Sequence, residues 1–103
     1  LLSRRSLVRV QSGAPIFMKW FLYVLQCSDG TYYTGVTTNV DRRTKEHNSS
    51  KRGAKYTRSR RPTKVIYMTE YNNRSSAQKS EYLFKQLTRK QKEEVINKVK
   101  ILD

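Results

Sequence analysis

The chain has 103 residues and a mass of 12.2 kDa, the length of one domain. Twenty-two Lys and Arg against eight Asp and Glu give a net charge of +14, which points to a polyanionic partner, most simply nucleic acid. No apolar run approaches the ~20 residues of a membrane-spanning helix. The single Cys27 excludes an internal disulfide, and the absence of a Cys/His cluster excludes a zinc site.

The lone cysteine makes a reduced compartment, the cytoplasm, the expected location. A hydrophobic fraction of 36% with eleven aromatics permits a small core. Residues 1–17 carry Arg4, Arg5 and Arg9, no acid and no sustained hydrophobic period. The chain opens without Met, and the ordered pattern begins at Met18, so 1–17 read as a basic tail or non-native extension and 18–103 as the domain. A basic targeting presequence is the weaker alternative. Without the tail, 19 basic and 8 acidic groups remain, so the basic argument survives.

Trp20 to Gln26 is a dense aromatic and β-branched run, the composition of a buried strand. Ser28-Asp29-Gly30-Thr31 reads as a turn, and Tyr32 to Val36 as the returning strand of a hairpin. Thr38 or Asn39 can cap a helix from Val40 to about Asn48. Ser49 to Pro62 reads as a polar loop, and Lys64 to Tyr71 as a third strand. Ser75-x-x-Gln78 predicts a capping box opening a helix to about Leu87, with Ala77, Leu83, Phe84 and Leu87 as its apolar arc. Thr88-x-x-Gln91 predicts another, opening a last helix to about Lys100 with Val95, Ile96, Val99 and Leu102 apolar. The order is β-β-α-β-α-α, an α+β fold with a small antiparallel sheet.

The segment 51–64 holds Lys51, Arg52, Lys55, Arg58, Arg60, Arg61 and Lys64 with no acid, and Tyr56 lies among them. Cations neutralise phosphates and an interleaved aromatic can stack on a base. Seven uncompensated cations repel one another, so a merely solvated loop is the poorer reading. On the first helix, Val40, Arg43, Thr44 and His47 share one stripe. Arg43 can hold a phosphate and His47 can carry a proton near neutral pH, although such pairs also arise by chance on exposed faces. Glu81 borders the buried face of the next helix. It either pairs with Lys85 or binds a cation, and helix geometry does not choose. Tyr23 and Tyr33 stand on the hairpin. A phenol acts as a general base only if a neighbour draws off its proton, and packing is the ordinary role of a lone Tyr.

Tyr23-Val24-Leu25, then Tyr33-Thr34-Gly35 ten residues on, Arg43, His47-Asn48 and Glu81 together resemble the GIY-YIG nuclease domain. The short length, the Leu25-Gln26-Cys27-Ser28-Asp29-Gly30 hairpin and the Lys55-Tyr56-Thr57-Arg58 to Arg61-Pro62 segment resemble its small single-domain bacterial members. The resemblance covers about Lys19 to Ile96 and implies a three-stranded antiparallel sheet flanked by helices. It implies metal-dependent hydrolysis of phosphodiester bonds. Tyr23 is then the proposed general base, Tyr33 helps to position water or phosphate, and Arg43 stabilises the charged transition state. His47 relieves the tyrosine of its proton, and Glu81 is the single carboxylate ligand of Mg²⁺ or Mn²⁺. Gly35 closes the second motif where a side chain would obstruct the site, and Asn48 supports the network. The first motif departs from the family pattern in lacking its glycine, and the second carries Thr34 where Ile or Val is usual.

Two functions follow from different classes. One is an endonuclease, on DNA rather than RNA, with its affinity supplied by Lys51, Arg52, Lys55, Tyr56, Arg58, Arg60 and Arg61. The other is a nucleic-acid-binding module, for DNA or RNA, whose site is inert or very slow. Neither implies a protein partner or a membrane.

Overall fold

A computed structural model describes residues 19–49 and 51–102; for 99–102 it describes the helical backbone alone. The tail expected at 1–17 and the side chains of Val99 and Leu102 lie outside that description. Strands β1 (Trp20–Gln26), β2 (Tyr32–Thr37) and β3 (Lys64–Tyr71) form one antiparallel sheet in the order β2-β1-β3. Helices α1 (Val40–Ser49), α2 (Lys55–Arg58), α3 (Arg74–Lys85) and α4 (Arg89–Leu102) complete the domain.

β1 lies in the middle because it is the most apolar segment, and Leu22 to Leu25 are buried on both faces of the pleat. The β1–β2 hairpin closes as the Asp-Gly pair predicts. Gly30 takes a φ of 84°, and the Asp29 carboxylate accepts from the Thr31 backbone N–H at 3.1 Å and from its hydroxyl at 2.6 Å. Tyr23 faces Gly35 in the register, and Leu25 faces Tyr33.

Alternation along β1 divides the core in two. Tyr23 and Leu25 pack with Val40 of α1, flanked by Phe21, Tyr33 and Met68. Val24 packs on the other face with Phe84 of α3 and Ile96 of α4. There Phe84 stacks on Tyr67, with ring centroids 6.1 Å apart and planes inclined by 11°. Helices α1 and α3 thus cover opposite faces of the sheet.

Three expectations about elements are corrected. The segment 49–62 is not all loop, since Lys55–Arg58 makes one helical turn. Asn73, not Ser75, caps α3, its side chain accepting from the Ser76 N–H at 2.8 Å. Leu83 is exposed rather than part of the apolar arc, because it stands one residue, about 100°, from Phe84 around the helix. Asn39 caps α1, and the Thr88–Gln91 box forms with both reciprocal bonds.

Candidate active site

Four of the expected residues meet on the α1 face. The phenol oxygen of Tyr23 lies 2.8 Å from His47 Nε2. The Tyr33 ring stands 4.9 Å from the imidazole and 6.4 Å from the Tyr23 ring, centroid to centroid. Arg43, one turn before His47, lies near enough that its charge favours the ionised form of the Tyr23 phenol. Its Nη1 is held by Glu46 at 2.8 Å and by the Arg52 carbonyl at 2.7 Å, so the cation is fixed before any phosphate arrives.

Gly35 makes this arrangement possible. A Cβ there would stand 2.7 Å from Tyr23 Oη and 2.9 Å from Cζ, closer than carbon can approach. Gly53 plays a similar part behind the site, where a Cβ would meet the Glu46 carbonyl oxygen at 2.7 Å.

Burial dominates the proton chemistry. It pushes the Tyr23 phenol above its ordinary value; Tyr33 adds to the rise, Arg43 opposes it, and the Glu81 charge raises it further. Burial also lowers His47, to about 4; Arg43 and Arg61 push the same way and Glu46 opposes them. At neutral pH the pair is a neutral phenol against a neutral imidazole.

Glu81 comes from α3, and its carboxylate pairs with Lys85 Nζ at 3.1 Å. Its link to the tyrosine cluster is electrostatic, through the rise it imposes on Tyr23. Among the described residues no group of three or more His, Cys, Asp or Glu could hold a metal, so a cage built wholly of protein is not present. One half-buried carboxylate is a hard oxygen donor, which suits Mg²⁺ or Mn²⁺ retaining most of its waters and not zinc.

Asn48 does not join the tyrosine network. It clamps the chain entering β3, donating to the Thr63 carbonyl at 3.0 Å and accepting from the Thr63 N–H at 2.7 Å and its hydroxyl at 2.9 Å. The basic segment also divides. Lys51, Arg52, Lys55 and Arg58 are exposed. Arg60 is tied to Asp29 at 3.1 Å and lies over the Tyr56 ring, 3.9 Å from its centroid. Tyr56 in turn stacks on Tyr33 at 6.1 Å, joining the basic segment to the cluster. Arg61 donates to the His47 carbonyl at 2.6 Å, latching the end of α1.

Sequence reasoning missed Thr57. It is fully buried, its hydroxyl 2.8 Å from His47 Nδ1 and 3.0 Å from the Ala54 carbonyl. A threonine in a basic loop carries no periodic signal; only its position four residues after Gly53, within a turn folded onto His47, makes it a partner.

This sheet and its tyrosine–histidine–arginine cluster belong to a nuclease-like class of domain. The GIY-YIG catalytic domain matches residues 19–94, and the chain belongs to that family. A UPF0213 protein of Desulfotalea psychrophila is 58% identical over 69 residues, 67% of this chain and 63% of the relative, so the match spans less than two thirds of that protein. A UPF0213 protein of Streptococcus agalactiae is 54% identical over 72 residues, covering 70% of this chain and 81% of the relative. The solution NMR structure of the protein EF2693 from E. faecalis is 45% identical with a TM-score of 0.56, covering 81% of this chain and 88% of that one. That of a UPF0213 protein from Bacillus halodurans is 42% identical with a TM-score of 0.51, over 78% and 84%.

Proposed function

We propose that the chain is a metal-dependent endonuclease that hydrolyses phosphodiester bonds of DNA. The observation that carries this reading is the 2.8 Å contact between the buried Tyr23 hydroxyl and His47 Nε2. A free tyrosinate is disfavoured in this burial, so the proton moves in relay. Water attacks phosphorus, its proton passes to Tyr23 Oη, and the phenol proton passes to His47 Nε2, while the bond from phosphorus to the leaving ester oxygen breaks and that oxygen takes a proton from solvent. Tyr33 and Arg43 border the place where the phosphate lies, and Arg43 stabilises its developing charge. Glu81 is the residue that would hold Mg²⁺ or Mn²⁺, which polarises phosphate oxygens when bound. Lys51, Arg52, Lys55 and Arg58 supply affinity, and nothing beyond a cytoplasmic setting is needed.

A binding module with an inert site is the second reading. Two observations favour it: Tyr23 is 1% exposed, and Glu81 is already paired with Lys85. A titration of Mg²⁺ and Mn²⁺ against plasmid, branched and single-stranded DNA and RNA separates the two. Metal-dependent cleavage of a DNA that stops on chelation supports the nuclease. Tight binding with no cleavage of any substrate supports the module.

A further inference from the structure

The Tyr23 proton fixes the direction of a buried hydrogen-bond chain. Tyr23 is 1% exposed, so its hydroxyl proton needs an acceptor within the protein. His47 Nε2, 2.8 Å from its oxygen, can accept; the nearby Arg43 guanidinium can only donate. The phenol therefore donates to Nε2. A bare Nε2 on a neutral imidazole puts the ring proton on Nδ1.

Nδ1 has two neighbours, Thr57 Oγ1 at 2.8 Å and, at 3.4 Å, the Ala54 backbone N–H, which points at it as a donor. A protonated Nδ1 can donate only to the first. Thr57 is free to accept because its own proton goes to the Ala54 carbonyl at 3.0 Å. The Ala54 N–H contact, at 3.4 Å, is the longest of the set and is the bond this tautomer gives up. The chain runs Tyr23 to His47 to Thr57 to the Ala54 carbonyl.

We propose that Thr57 is a positioning residue that holds His47 as its Nδ1–H tautomer and so keeps Nε2 open for the Tyr23 proton. When that proton leaves Oη and binds Nε2, both ring nitrogens carry hydrogen. Thr57 still accepts from Nδ1, so the buried imidazolium is not left with an orphaned donor on that side. The catalytic meaning of this device rests on the nuclease reading above; the tautomer itself does not.

His47 is the only histidine in the chain, so its imidazole nitrogen–proton correlations in NMR are unambiguous. The full chain near neutral pH is expected to show Nδ1–H. Thr57→Val keeps the shape and removes the acceptor, and should shift the ring to Nε2–H or a mixture; Thr57→Ser should restore Nδ1–H. Single-turnover cleavage should fall about 10–100-fold in the valine variant and recover in the serine variant. An Nε2–H wild type, or a valine variant with the wild-type tautomer, overturns the proposal. If the valine variant fails to fold, an Nε2–H wild type still overturns the proposal, and Thr57→Ala, which also removes the acceptor, is read in its place. Should the wild type show Nδ1–H but cleave nothing, the tautomer assignment stands and the nuclease reading falls.

Discussion

Gly35 lacks a side chain where the Tyr23 phenol needs the space, since an added Cβ would lie 2.7 Å from its oxygen. Gly35→Ala should push the ring away and lengthen the contact with His47. Overpacking of this kind costs about 1–3 kcal/mol, readable in urea unfolding, and cleavage should fall by on the order of 10²-fold or more. His47 gives a pH prediction with a definite sign. Its value falls from 6.5 to about 4 on folding, so between those values the unfolded chain binds the proton more readily. The stability it contributes is present above 6.5 and is lost as the pH falls towards 4. The full loss is on the order of 3 kcal/mol. Urea unfolding at several pH values should show a steeper acid loss in wild type than in His47→Asn.

At the scale of elements, the end of α1 is held by its neighbours more than by its own sequence. Arg61 latches the His47 carbonyl and Asn48 clamps Thr63. Arg61→Ala should lower stability by about 1–2 kcal/mol in thermal or urea unfolding. Lys55→Ala and Arg58→Ala should leave stability within about 0.5 kcal/mol, and each should reduce the salt slope of DNA binding by about one unit. In the sequence these cations look alike; only tertiary placement separates an Arg tied to a carbonyl from one facing solvent. The three strands were legible, because apolar and β-branched runs bounded by turn residues admit few other readings. So was the cluster on α1, since an i, i+4 pair on a helix must share a face. The turn α2 was not, because Ala54 offers no side-chain cap and four residues carry no period. The start of α3 was misplaced because Asn73, Ser75 and Ser76 are all competent caps within one turn.

For the whole molecule, the proposed nuclease joins a tyrosine–histidine–arginine cluster to a carboxylate that already has a partner. Tyr23, Tyr33, Arg43 and His47 meet on the α1 face, while the Glu81 carboxylate of α3 pairs with Lys85 and its charge is felt at Tyr23. That ion pair competes with any cation. Lys85→Ala should lower the Mg²⁺ concentration for half-maximal cleavage, by up to about fivefold, as expected for losing one surface pair. The test that bears most directly on a metal-dependent nuclease is single-turnover cleavage of one DNA by wild type and Glu81→Gln at saturating Mg²⁺, with DNA affinity measured alongside. The account predicts cleavage by the wild type, a fall of on the order of 10²-fold or more in the variant, and affinity that holds or rises slightly. Equal cleavage by the two proteins would contradict it.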